Sequence, residues 1–392
     1  MRIAQVSPLA ESVPPRTYGG TERIVHYLTE ELVRQGHDVT LYASGDTTTS
    51  ARLVALRERA LRLDPDGGDE LTEQLLEVER VFTDADAYDL VHFHLDTVHL
   101  PLMRRSRTPW ITTTHGRMDL PQYRRLFAEF REAALVSISD AQRAPLPWLN
   151  WRATVPHGLP LDTIEARAEP GGYLAFLGRI CPEKRVDRAI EIARATGIPL
   201  KVAAKVDAVD AAYFAAEIEP LLGGDGVEFV GEIGEDGKDE FLGNAAALLF
   251  PIDWPEPFGL VMIEAMARGT PVLAFRCGSV PEVIEPGVSG AVVESVAEAI
   301  AVLPEVVALD RRLVRAAAER RFSARAMAAA YVDVYERSIA EQAGLESSPS
   351  NVTSLHEFAA AGQPWSRGGP ALADRSLPEL APTKLEDDAV PL

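Results

Sequence analysis

Two cations stand five residues apart in Gly178-Arg179-Ile180-Cys181-Pro182-Glu183-Lys184. On one loop they could hold both phosphates of a diphosphate, Arg179 with its planar fork and Lys184 as a point charge. A solvated loop in which Glu183 pairs its neighbours is the plainer reading of an isolated charged segment. Cation usage argues against it here. Only five of the 39 basic residues are lysines, and Lys184 is the first of them, nearly halfway along the chain. A chain that otherwise builds its surface charge from arginine spends a lysine there.

The second chemical segment is Pro255-Glu256-Pro257-Phe258-Gly259-Leu260-Val261-Met262-Ile263-Glu264. Glu264 is the only charge between Phe258 and Ala267, on an apolar helix that reads as buried. A buried carboxylate needs a partner, because an uncompensated polar group alone costs roughly 2–7 kcal/mol. That partner is either a buried cation or the hydroxyls of a ligand. Glu256 lies just before the helix, and Phe258, Gly259 and Leu260 would offer backbone N–H groups at its start. Two carboxylates bracketing an anion site suit a nucleotide sugar.

Two weaker signals accompany these. Gly19 and Gly20 open a helix, where paired glycines let backbone N–H groups approach an anion near the positive end of the helix dipole. A plain turn capped by Thr21 would look the same, and the third glycine of a dinucleotide fingerprint is missing. His115 ends the run Thr112-Thr113-Thr114-His115 and could donate a hydrogen bond across a cleft; a capping or core histidine is its ordinary reading.

These residues need loops at the carboxyl ends of parallel strands, and the pattern supplies them. Strand-like runs at 2–7, 38–43, 90–94, 110–114 and 134–139 alternate with helical patterns, the first carrying Ile24, Val25, Leu28, Leu32 and Val33 on one face. The segments 156–160 and 169–172, rich in Pro and Gly, read as a crossover. A second alternation follows, with strands at 173–177, 200–204, 227–230, 246–250 and 271–275 and helices at 186–196 and 259–267. The predicted class is α/β: two doubly wound, Rossmann-like parallel-sheet domains, 1–157 and 158–322, facing a cleft. A helix over 323–342, with Met327, Tyr331, Tyr335 and Ile339 on one face, closes the ordered region, and 343–392 reads as a disordered tail.

The formal charge of -20 argues against nucleic acid and anionic lipid as partners. No apolar run approaches the roughly 18–20 residues of a membrane span. With two cysteines and no leader-like start, a cytoplasmic protein is expected, and the sequon at Asn351 reads as a chance match. Asp64-Pro65-Asp66 and Asp84-Ala85-Asp86 have a metal-binding spacing but precede strands, so they read as solvated turns. His92, His94 and His99 make a weak metal pattern, with His94 better suited to a substrate pocket. Arg104, Arg105, Arg107, Arg124 and Arg125 form basic spots that read as a solvated face, with peripheral contact to an anionic lipid as the alternative.

Together, Gly19-Gly20, His115, Arg179 with Lys184, and Glu256 with Glu264 eight positions on resemble glycosyltransferase family 4, over about residues 1–342. The resemblance implies a retaining, metal-independent enzyme of the GT-B fold, without a cofactor, whose co-substrate is a nucleotide-diphosphate sugar. A hexose-type sugar would pass to a small-molecule, lipid or glycan hydroxyl, with UDP-sugars favoured over GDP-sugars. It implies that Arg179 and Lys184 bind the donor diphosphate, Glu256 the donor sugar and Glu264 the ribose. Phe258, Gly259 and Leu260 would contribute N–H groups, Gly20 would approach the phosphate, and His115 would lie near the sugar. The final helix would cross back to the first domain. His157 departs from the family's usual Asn in a turn expected to be structural, and Cys181 sits in the phosphate loop, where flanking cations are expected to lower its pKa. A nucleotide-sugar epimerase of the same fold and a catalytically silent nucleotide-sugar-binding module are the alternatives; a nicotinamide dehydrogenase fits least.

Overall fold

The computed structural model describes residues 1–347, apart from 17, 18, 65, 66, 224 and 225. Of the tail expected over 343–392, residues 343–347 continue the closing helix, and the rest, with the sequon, lies outside the described residues.

The first sheet has seven parallel strands: β1 (Arg2–Val6), β2 (Asp38–Ala43), β3 (Arg52–Ala55), β4 (Leu90–Phe93), β5 (Trp110–Thr113), β6 (Leu135–Ser137) and β7 (Trp151–Thr154), in the order β3-β2-β1-β4-β5-β6-β7. The second has six: β8 (Tyr173–Arg179), β9 (Leu200–Lys205), β10 (Val227–Gly231), β11 (Ala245–Phe250), β12 (Val272–Phe275) and β13 (Gly290–Val293), in the order β10-β9-β8-β11-β12-β13. Each sheet is doubly wound about its first strand. Ile3 sits between Val39 and Leu90, and Leu174 between Leu200 and Ala247. Reversal of strand order beside β1 and β8 opens a crevice at their carboxyl ends.

The sequence pattern missed β3, β7 and β13. All three are four-residue edge strands, and neither β3 nor β7 contains a buried residue. Four residues is the lower limit at which a run can mark a strand, and β7, Trp-Arg-Ala-Thr, alternates no clear apolar face.

The final helix, Ala324–Ser347, runs longer than its sequence pattern suggests and returns to the first sheet. Met327, Tyr331, Val334 and Tyr335 are buried in one core with Ile3, Ile24, Leu28, Leu90 and Val136. The crossover is pinned where it meets the start of that helix: Leu159 N–H donates to Phe322 O at 2.8 Å and Ala324 N–H to Leu159 O at 2.7 Å. Gly158 permits the approach, since a Cβ there would lie 2.4 Å from Ser323 O.

Candidate active site

A cleft of about 480 Å³ opens at the carboxyl ends of β1 and β8. Gly19, Gly20, His115, Arg179, Lys184, Glu256, Phe258, Gly259, Leu260 and Glu264 all line it. Gly20, which begins the helix Gly20–Arg34, faces the helix Leu260–Ala267, where a Cβ would be in van der Waals contact with Leu260 Cδ1 at 3.4 Å.

On the second-sheet side, Arg179 ends β8 and Lys184 ends the single turn Pro182–Lys184 that follows. Neither cation faces solvent unmatched. Arg179 lies 3.4 Å from Asp207 Oδ2 and 3.7 Å from Glu183 Oε1, about a third exposed. Lys184 forms an ion pair with Glu256 and lies 4.7 Å from the centre of the Trp254 ring. The Trp254 indole donates to Glu256 Oε2 at 2.9 Å. The expected pair of cations is therefore present with its charge already balanced by carboxylates on neighbouring loops.

Glu264 is buried, and its partner is Lys238, with Nζ 2.6 Å from Oε1. Lys238 also meets Glu235 at 3.1 Å, and Glu235 meets Arg23 of the first domain at 2.5 Å. Burial pushes the Glu264 carboxyl up, but Lys238 and Arg23 outweigh it and hold the group below its ordinary value. A buried ion pair, one of the two partners the sequence allowed, is the one found. Lys238 carried the same signal as Lys184, the rarity of lysine in this chain; Arg23, an ordinary arginine, carried none. Both line the cleft, as does Glu22, whose carboxyl burial pushes up to about 6.

Helix Leu260–Ala267 starts from a backbone only glycine adopts easily. Gly259 has φ +82°, and a Cβ there would meet Met262 Cε at 2.7 Å and the Phe250 ring at 3.2 Å. Ser279 Oγ donates to Phe258 O at 2.9 Å and Ser279 N–H to Glu256 O at 3.0 Å, so one residue anchors both ends of this turn.

The histidines correct several expectations. His115, which could have donated across the cleft or served as a core histidine, lines the cleft with its Nε2 engaged by His94 Nδ1 at 2.9 Å. His94 is buried one layer behind the cleft rather than in its wall. His157, expected only to shape a turn, lines the cleft between His115 and Phe258, with ring centres at 5.3 and 4.8 Å. Burial pushes all three rings down, His115 to about 3, so they are neutral. His99 is a core residue, stacked on Phe93 and bonded to Thr112 at 2.6 Å.

Cys181 is also corrected. It is 1% exposed, and burial pushes its thiol up against the opposing pull of Arg179 and Lys184. Asp84 accepts from Tyr42 Oη at 2.9 Å and Asp64 pairs with Arg57 at 2.7 Å; Pro65 and Asp66 lie outside the described residues. Among the described residues no group of three His, Cys, Asp or Glu is placed to hold a metal, and no helix is long and apolar enough to cross a membrane. Arg104 is matched by Glu129 and Glu132, each at 2.8 Å, whereas Arg124 and Arg125 are exposed.

Similarity to known proteins follows the same division. A family model described as Glycosyltransferase Family 4 matches residues 18–149, and one described as Glycosyl transferases group 1 matches 162–320. A phosphatidyl-myo-inositol mannosyltransferase of Mycobacterium leprae (strain TN) is 25% identical over 86% of this chain and 96% of its own. The crystal structure of AviGT4, a glycosyltransferase involved in avilamycin A biosynthesis, superposes with a TM-score of 0.66 at 25% identity, covering 87% of this chain and 98% of that one. A sucrose-phosphate synthase of Thermosynechococcus elongatus shares the fold at a TM-score of 0.71 and 20% identity, covering 87% of this chain and all of that one. Two family models that part at the crossover, one on each sheet, meet at the cleft just described, and the chain belongs to glycosyltransferase family 4, an enzyme of the GT-B fold.

Proposed function

We propose that this glycosyltransferase is retaining and metal-independent, and that it transfers a hexose-type sugar from a nucleotide-diphosphate sugar, UDP-sugars ahead of GDP-sugars, to a hydroxyl of a lipid, glycan or small-molecule acceptor. The observation that carries the reading is that one cleft is lined together by Gly20, Arg179, Lys184, Glu256, Glu264 and the start of helix Leu260–Ala267.

In this reading Arg179 and Lys184 stabilise the departing diphosphate in place of a divalent cation, which is electrostatic catalysis by groups oriented before the reaction. Both cations already have carboxylate partners, so the diphosphate shares them with Asp207 and Glu256. Trp254 continues to hold Glu256 when Lys184 turns to phosphate, leaving that carboxylate for the sugar. The ribose hydroxyls reach Glu264, whose charge Lys238 maintains. The departing diphosphate takes the acceptor's proton on the face from which it leaves, so the anomeric configuration is kept. The mannosyl and inositol groups in the name of the mycobacterial relative add mannosyl donors and phosphatidylinositol to the compounds worth testing.

A panel of UDP- and GDP-sugars screened by thermal shift tests the reading. A ligand at 100 times its dissociation constant should stabilise the protein by about 2.7 kcal/mol. Turnover of the stabilising donor, followed by NMR of the product anomer, tests retention. No stabilisation and no turnover across the panel would sink the proposal.

A further inference from the structure

Behind the cleft, a chain of buried polar side chains runs from His115 to the C-terminal helix, and the donor-binding reading makes no use of it. His115 Nε2 meets His94 Nδ1 at 2.9 Å, and His94 Nε2 meets Gln5 Oε1 at 2.8 Å. The other end of the same amide, Gln5 Nε2, donates to Tyr335 Oη at 3.0 Å. Tyr335 Oη meets His92 Nδ1 at 2.8 Å, His92 Nε2 meets Thr113 Oγ1 at 2.7 Å, and Thr113 meets Tyr331 Oη at 2.9 Å. Gln5, His92, Thr113, Tyr331 and Tyr335 are 0% exposed and His94 2%.

The Gln5 amide gives the chain a direction. Its Oε1 can only accept, so His94 carries its proton on Nε2 and leaves Nδ1 bare. A bare His94 Nδ1 can only accept, so His115 carries its proton on Nε2. In the other direction Tyr335, having accepted from Gln5, donates to His92 Nδ1, and His92 donates onward to Thr113. Every link is then satisfied, as a buried chain requires. One atom is left over. His115 Nδ1 is buried and has no hydrogen-bond partner among the described residues.

We propose that Gln5, His94 and Tyr335 form a relay that fixes His115 in its Nε2–H tautomer, so that His115 offers a ligand only the lone pair of Nδ1 and selects a hydroxyl there. A phosphate oxygen or a carbonyl would meet that lone pair unfavourably, whereas a sugar hydroxyl can donate to it. The identification of that hydroxyl with the donor's sugar rests on the function proposed above. The relay itself does not. Burial supports it by pushing His94 and His115 down, which keeps both rings neutral, so that the orientation of the Gln5 amide decides which nitrogen of each ring carries the proton. Tyr335 is thus a positioning residue, brought to the cleft histidine from the last helix of the described chain.

The test is side-chain 15N NMR of the full chain, free of ligand, with His115 assigned by the loss of its signals in H115N. Wild type is expected to show a pyrrole-like Nε2 and a pyridine-like Nδ1. Tyr335→Phe removes the acceptor that orients the Gln5 amide, so both His115 nitrogens should move toward an averaged, mixed-tautomer shift. An Nδ1–H tautomer in wild type, as the reversed amide would produce, overturns the proposal. So does a folded Y335F with the wild-type pattern. The wild-type spectrum decides by itself if Y335F does not fold, and no donor is present, so failure of the relay and failure of the nucleotide-sugar reading are separate results.

Discussion

Lys184 and Glu256 form an ion pair across the mouth of the cleft, and the Trp254 indole holds the same carboxylate oxygen at 2.9 Å. The pair joins the loop after β8 to the loop before helix Leu260–Ala267, so each partner sets the other's position. Lys184→Ala should lower turnover about a hundredfold or more, given roughly 2.7–4 kcal/mol for one preorganised group at a developing charge. Steady-state kinetics with the donor found by thermal shift measures it, and near-normal turnover would remove Lys184 from the machinery. A double-mutant cycle with Glu256→Ala should be strongly non-additive.

Lys238→Met should destabilise the fold by about 3 kcal/mol, because it leaves Glu264 buried without its nearest cation. Lys238→Met with Glu264→Gln should recover much of that loss, since no uncompensated charge remains. Urea denaturation reads both. Equal stability of the single and double variants would show that Arg23 alone can support Glu264.

Glu22 predicts a pH dependence. Its carboxyl is raised from 4.5 to about 6 by burial, so the folded chain holds this proton more tightly than the unfolded chain. Relative to a neutral side chain its contribution is nil below pH 4.5, where the group is protonated in both states, and becomes a penalty that grows as pH rises through about 6 and reaches about 2 kcal/mol above pH 7. Glu22→Gln should therefore be more stable than wild type above pH 7, with the difference shrinking toward pH 4.5. A difference that does not vary with pH contradicts the assignment.

Gly259→Ala should cost about 1–2 kcal/mol from the left-handed backbone alone, and more from crowding against Met262 and Phe250. Its denaturation midpoint checks this, and a shift within error would mean that the turn relaxes.

Thiol labelling of the native protein should modify Cys277, which is partly exposed, well before Cys181, which is buried with its thiol pushed up. Rapid loss of both thiols would show that the phosphate loop opens readily.

Much of this could be read locally. Arg179 and Lys184 share one loop, Glu256 and Glu264 one loop and helix, and the apolar runs of β1, β4, β8, β11 and β12 announce buried parallel strands. Edge strands β3, β7 and β13 left little trace, because each is only four residues long, the lower limit at which a run can mark a strand. Cys181 misled because charge is visible in a sequence and burial is not: its cations are neighbours in the chain, while the packing that raises its thiol comes from the fold.

Spacing and residue type were enough to commit this chain to two doubly wound domains and to a cleft carrying cations between carboxylates. Folding alone decided how those groups are matched. Lys238 reaches Glu264 from 26 residues away, Arg23 reaches Glu235 from the other domain, and Tyr335 stands 330 positions from the Gln5 amide it orients. Buried charges and protons must be paired wherever they end up, and in a parallel α/β fold the partner arrives from a distant strand or helix. The pairing is therefore written in contacts between elements, which no local pattern encodes.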